Sequence, residues 1–187
     1  MKLHIKKISI EEFESDIYPK LEKLFPDAEM RRVESIRKTC ESGNENLYKV
    51  NLDDKTIGFF SLEKLENYPY YLDYFVIYEE YQDRGFGTLV MQIMLSKIVS
   101  GEDVFGEIEK VEESNSQSIR RWNFYKKVGF KLTNLEYDLF TMIYNPIVFS
   151  PKKYSNEAIN TILFSYYELN SGKEAVEKNC KIISGGA

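Results

Sequence analysis

Two sets of residues could do chemistry. The first is Gln82-Asp83-Arg84-Gly85-Phe86-Gly87-Thr88, between an aromatic, β-branched run (Tyr70 to Tyr78) and an apolar helical pattern that begins with Leu89-Val90. Strand, glycine turn and helix start together make an anion site. The first N–H groups of a helix have no intrahelical partner and lie at the positive end of its dipole. Gly85 and Gly87 keep side chains away from that backbone and tolerate positive φ. The second set is a group of carboxylates and a phenol. Asp73 lies on the strand before the turn, Glu107 and Glu109 share a face of a later alternating segment, and Tyr125 follows on a helical pattern. Carboxylates on a central strand are costly unless they face a cleft, water or a cation. Glu107 and Glu109 are therefore candidates for holding a cationic group or taking its proton, with Asp73 beside Tyr71 and Phe75 as a further candidate. Glu112 and Glu113 read as a solvated turn. The loop meets neither the G-x-G-x-x-G dinucleotide fingerprint nor the G-K-[ST] ending of a phosphate-binding P-loop.

The elements that must position these groups can be read in order. Lys2 to Ile10 alternates as a strand, with Ser9 as cap of a helix through Phe13, Ile17, Leu21 and Leu24 that Pro19 disturbs. Asp27 is a plausible cap for a second helix, ended by Gly43-Asn44. Leu47–Leu52 and Thr56–Leu65 read as strands around an Asp53-Asp54-Lys55 turn, and Tyr70–Tyr78 as the next strand. After the glycine turn come a helix (Phe86–Ser100), a strand (Val104–Val111), a helix (Ser116–Val128) ended by Gly129, and last strands over Phe130–Leu132 and Tyr137–Phe149. Pro151 opens a further segment, with a helical face of Ile159, Ile162, Leu163, Tyr166 and Tyr167 and a shorter helix over Lys173–Ile183.

Residues 82–88 fit Q/R-x-x-G-x-G/A, and Phe124-Tyr125-Lys126-Lys127-Val128-Gly129-Phe130 fits F-Y-x-x-x-G-F. With the element order, these two motifs make the chain resemble the GNAT superfamily of N-acetyltransferases over about residues 2 to 149. The resemblance implies an α/β (α+β) fold, a mixed but mostly antiparallel twisted sheet of about seven strands flanked by four helices. It implies a GNAT domain over 1–149 and a C-terminal helical extension over 150–187, packed on the domain or at a homodimer contact. It also implies acetyl-CoA as cosubstrate, no metal, and transfer of acetyl to a primary amine of a small molecule, peptide or protein. The alternative is a catalytically silent acetyl-CoA-binding sensor.

By the same resemblance, the backbone N–H groups of Gln82 and of Arg84 through Thr88 hold the pyrophosphate, with Asp83 inside the loop and the Arg84 side chain as an added contact. Phe75, Val76 and Ile77 would bond the pantetheine arm, the N–H of Val76 or Ile77 facing the thioester oxygen. Tyr125 would be the general acid. Asn115 corresponds to a pantetheine contact, although it lies further ahead of Tyr125 than is usual. The base is left among Glu109, Glu107 and Asp73, and an acidic pocket would favour a cationic acceptor.

Composition bounds the rest. The chain has 187 residues, 43 % apolar and 29 % charged, with 14 Tyr and 12 Phe, which suits one aromatic-cored globular domain with an appendage. A net charge of −5 speaks against nucleic-acid binding. No apolar run is long enough for a membrane span and the N-terminus lacks a signal-peptide pattern, so a cytoplasmic protein is expected. Cys40 and Cys180 are far apart and His4 is the single histidine, so neither a metal spacing nor a histidine-based triad is present.

Overall fold

The computed structural model describes residues 2–184. After strand β1 (Leu3–Ile8), Ser9 Oγ accepts the Glu12 N–H at 3.2 Å and starts helix α1, over 10–24. Pro19 widens this helix instead of splitting it. The turn Phe13–Ile17 is π-helical, and the Tyr18 N–H reaches back to Phe13 O. A proline inside a helix removes one ladder bond and crowds the preceding turn, and a wide turn absorbs both effects.

The second helix begins later than its sequence suggests. Asp27–Glu29 is a single 3-10 turn, and α2 runs over Val33–Glu41 with no side-chain cap. Tertiary contacts hold the intervening residues extended: the Arg31 N–H donates to Tyr74 Oη at 2.8 Å, and the Tyr74 hydroxyl donates to Glu29 O at 3.2 Å. Backbone groups that a helix would have used are thus taken by a strand tyrosine.

Strands β2 (Glu45–Leu52) and β3 (Lys55–Glu63) form a hairpin with Asp53 at φ 51° in its turn. Strand β4 (Tyr70–Ile77), helix α3 (over 86–98), β5 (Val104–Glu109) and α4 (Ser116–Lys127) follow. Then come β6 (Lys131–Leu132), β7 (Glu136–Leu139), β8 (Met142–Phe149), α5 (Asn156–Ser171), α6 (Lys173–Asn179) and β9 (Cys180–Ser184).

The strands make one sheet in the order β1-β2-β3-β4-β5-β8-β7-β9, with β6 on β8; every pairing is antiparallel except β4 with β5. The expected α/β architecture and the four flanking helices are found, but the strand count rises from about seven to nine. One reason is a tight turn at Phe140-Thr141, both at positive φ, that folds the last strand run into the β7–β8 hairpin. The other corrects the reading of Lys173–Ile183 as helix. The helix stops at Asn179, and Cys180–Ser184, with two adjacent isoleucines, pairs with the free edge of β7.

Helices α3 and α4 cover one face of the sheet, packing Val90, Met91, Met94 and Tyr125 on Phe60, Leu72, Ile108 and Ile147. On the other face α1 and α2 cover β1 to β4 through Phe13, Ile17, Leu21 and Ile36. Helix α5 packs Ile159, Leu163, Tyr166 and Tyr167 beside them, on Tyr71, Phe105 and Tyr137. No helix among the described residues is long and apolar enough to cross a membrane.

Candidate active site

The two central strands part almost as soon as they meet. β4 and β5 pair only at Tyr70–Val104 and Tyr71–Phe105, whereas β5 pairs with β8 along its whole length. A Cβ on Gly106 would lie 3.3 Å from Leu72 O, so glycine lets the chains touch at the apex of the fork. Beyond it, β4 carries a bulge: its register against β3 shifts between Phe60 and Leu62, so Ser61 faces both Asp73 and Tyr74, and Ser61 Oγ accepts the Tyr74 N–H at 3.3 Å.

The bulge changes the faces. Tyr71, Asp73 and Phe75 do not share one, as strict alternation would require. Phe75 stacks on Phe124 of α4 (5.6 Å between centroids), while Tyr74 meets Phe25 on the opposite face (5.5 Å). The Tyr78 N–H donates to Ile57 O at 2.9 Å, so by alternation the main-chain groups of Val76 turn into the β3 ladder. Those of Phe75 and Ile77 face the open fork.

The loop after β4 is closed on itself. The Gln82 N–H donates to Glu79 O at 3.1 Å and its Nε2 to Ile77 O at 2.7 Å, so Gln82 builds the turn and its amide is already engaged. Asp83 (φ 58°) and Gly85 (φ 80°) take left-handed conformations. The first bond of α3 is Leu89 N–H to Gly85 O at 3.1 Å, which leaves the amides of Gly85, Phe86, Gly87 and Thr88 ahead of the ladder. No heavy atom lies within 4 Å of the point where a Gly85 Cβ would sit. A Gly87 Cβ would meet the Phe124 ring at 3.3 Å, so Gly87 sets how closely α3 approaches α4. Arg120 bonds Asp83 at 2.6 Å, and Arg84 lies over the Tyr81 ring at 5.9 Å.

Asn115 caps α4, its Oδ1 accepting the Gln117 and Ser118 N–H groups at 3.0 and 3.2 Å. That oxygen is therefore spoken for. Tyr125 is buried against Phe124 and Phe130, and burial pushes its phenol up to about 12, with Arg121 opposing and Glu109 assisting. It stays protonated throughout the neutral range.

The three carboxylates have different partners. Asp73 Oδ2 is bound by Arg31 Nη1 at 2.6 Å, and the same nitrogen holds Glu63 at 2.6 Å and Glu45 at 3.1 Å. These three acids could share a cation, and here the guanidinium is that cation. The cluster pins the chain before α2 to three strands. Glu109 is paired with Arg121 of α4. Glu107, just past the fork, has no ion pair among the described residues. Instead Tyr71 donates a hydrogen bond to its Oε2 at 2.6 Å and Tyr167 one to its Oε1. Burial pushes its carboxyl up to about 8; the Tyr71 bond opposes that rise and the Asp73 charge adds to it.

The acetyltransferase (GNAT) domain family matches residues 13–138. The chain belongs to the GNAT acetyltransferases. A protein of Bacteroides thetaiotaomicron assigned to the GNAT family is 19 % identical and covers 91 % of this chain and 99 % of its own, with a TM-score of 0.75. A GNAT acetyltransferase of Elizabethkingia anophelis with acetyl-CoA bound is 15 % identical, covering 79 % and 97 %, with a TM-score of 0.58. A chimera of the spermidine N-acetyltransferase SpeG from Vibrio cholerae and hSSAT is 12 % identical, covering 80 % and 96 %, with a TM-score of 0.58. At these identities the structures share the fold alone. A search of curated proteins finds no match.

Arg31, Arg121 and Tyr167 carry no mark in the sequence. Arg31 and Arg121 sit among other charged residues, and Tyr167 reads as one more aromatic on an apolar helix face. Their partners lie on other elements, so no local pattern distinguishes them.

The acidic groups of this GNAT domain have a consequence for stability. Burial raises Glu107 to about 8 and Glu45 to about 7, and it also raises Glu63 and Glu29. A carboxyl whose folded value lies above its unfolded one contributes stability that is full below the ordinary value and is lost as pH rises through the folded value. Between about pH 5 and 8 the native state binds more protons, so Tm is expected to fall across that window. Thermal unfolding by circular dichroism checks this; Glu107→Gln should flatten the upper part of the slope.

Proposed function

We propose that the chain transfers the acetyl group of acetyl-CoA to a primary amine on a cationic small molecule, peptide or protein, by direct attack of the amine on the thioester. The observation that carries this reading is Glu107, a carboxyl without a cationic partner among the described residues, just beyond the fork and on the sheet face opposite Tyr125. The amides of Gly85, Phe86, Gly87 and Thr88 ahead of the α3 ladder, with that of Arg84 before them, suit the pyrophosphate, and the fork-facing groups of Phe75 with the Ile77 N–H suit the pantetheine arm, the Ile77 carbonyl being taken by Gln82. The Ile77 N–H is then the donor for the thioester oxygen as it gains charge. Val76, Gln82 and Asn115, whose backbone or side-chain groups are committed elsewhere, support these parts from behind, and Asp83 is held by Arg120.

In this reading the C–N bond forms as the C–S bond breaks. The amine proton passes to Glu107, and Tyr125 donates to the departing thiolate. Glu109 and Glu29, which flank Arg121, add negative potential on the acceptor side and favour a cation. Spermidine, the substrate named for a protein of the same fold, is therefore a suitable first probe.

Tyr125→Phe tests the acid. The ring and its packing remain, so acetyl-CoA should bind within about twofold of wild type while kcat falls roughly 10- to 100-fold. Thiol release from acetyl-CoA at saturating amine measures this, and unchanged turnover would remove the assignment.

A further inference from the structure

The segment after β8 reaches into the site. Two neighbouring tyrosines of α5 make different contacts. Tyr166 stacks on the Tyr71 ring (5.0 Å, 18°), accepts the Leu65 N–H at 3.2 Å and donates to Pro69 O, which ties the helix to the loop before β4. The Tyr167 ring sits edge-on to Tyr71 (6.4 Å), Tyr137 (6.4 Å) and Phe164 (5.5 Å), and its hydroxyl ends on Glu107 Oε1. Tyr71 Oη takes the other carboxyl oxygen at 2.6 Å. Each oxygen of Glu107 is therefore met by a phenol, one from the sheet and one from the C-terminal helix.

We propose that Tyr167 is a positioning residue for Glu107, so that α5 completes the acceptor side of the active site; this rests on the reading of Glu107 as the base. A carboxyl held at one oxygen can still turn about its last torsion, whereas two donors from different elements fix its plane. Both donors also favour the charged form over the acid. Around Glu107, Asp73 on β4 carries the opposing negative charge and is itself bound to Arg31. Tyr137 on β7, Tyr144 on β8 and Cys180 on β9 feel the Glu107 charge as neutral groups; burial raises each first, and Glu107 adds to it, after Glu29 for Tyr144 and after Asp138 for Cys180. With no cation among these neighbours, offsetting burial is left to hydrogen bonds, and the Tyr71 bond acts in that direction.

The test is a titration of the full-length chain labelled with δ-13C-glutamate. The Glu107 resonance is assigned by its loss in Glu107→Gln. Tyr167→Phe, which keeps the ring, should move its midpoint upward by about half to one pH unit. Tyr71→Phe should move it in the same direction. Tyr154→Phe, which removes a bond to Asp103 at the start of the same segment, should leave it in place. With spermidine as acceptor, the acidic limb of kcat/KM in Tyr167→Phe should shift by the same amount and return to near wild type on its alkaline side. Loss of a merely structural contact would lower kcat/KM equally at every pH. If midpoint and limb both stay where they are in Tyr167→Phe, the positioning role is wrong. If the midpoint moves but Glu107→Gln retains the acidic limb and the rate, Tyr167 does govern Glu107 and the base assignment is what fails.

Discussion

Replacing Glu107 by glutamine is expected to lower kcat/KM for a cationic amine by about a hundred- to ten-thousand-fold, the usual loss when a positioned general base is removed. The acidic limb of the pH profile should vanish with it. Glu107 lies beyond the fork, on the side proposed for the acceptor, so affinity for acetyl-CoA should be unchanged within about threefold. The contrast with its neighbours makes this specific. Glu109 is ion-paired with Arg121, and Asp73 with Arg31 at 2.6 Å. Glu109→Gln should therefore cost much less activity than Glu107→Gln, and Asp73→Asn should act first on folding, because it takes a partner from a buried guanidinium. Steady-state thiol release at several pH values separates the three. Equal losses at all three positions would mean that the carboxylates act only as a negative field.

A valine at Gly85 should abolish donor binding in practical terms, raising the Kd for acetyl-CoA by roughly 10- to 100-fold while the fold persists. Gly85 sits at φ 80° with open space around its missing Cβ, so the obstacle is the backbone and not a clash with the protein. A β-branched residue in the left-handed region costs of order 1–2 kcal/mol or more. The loop can avoid that cost by turning, which would misalign the amides of residues 86–88 with one another. A valine Cγ would also project into the space in front of them. Isothermal calorimetry with acetyl-CoA reads the affinity, and circular dichroism confirms that the helices remain. Wild-type affinity in this variant would place the pyrophosphate somewhere else.

The elements of the proposed donor side are legible in the sequence because their signals are local. The glycine turn, the strand before it and the F-Y-x-x-x-G-F motif are each contained in a few consecutive residues, and the structure puts them on β4, the start of α3 and the end of α4. The bulge in β4 is not, because it depends on Ser61 of another strand meeting both Asp73 and Tyr74. That one register shift moves Phe75 off the face that alternation assigns to it. Sorting the three carboxylates is equally out of reach. Asp73 and Glu109 look as free as Glu107 in the sequence, and the arginines that claim them come from 42 residues earlier and 12 residues later. At the end of the chain, the helical pattern over 173–183 gives way at Cys180 because β7 offers an unpaired edge. Tertiary pairing outweighs local preference there, as it does before α2, where Tyr74 takes the backbone groups of Glu29 and Arg31.

In the proposed reaction this GNAT domain moves an acetyl group from acetyl-CoA to a cationic primary amine under the control of Glu107. Continuous thiol release from acetyl-CoA, with spermidine, a lysine-bearing peptide and a neutral alcohol as acceptors, measures it directly in wild type and Glu107→Gln. Release with at least one cationic amine, rising with pH through about 8 and lost in Glu107→Gln, is the predicted result. Saturable binding of acetyl-CoA with no thiol released to any amine would contradict it and leave a cofactor-binding module instead.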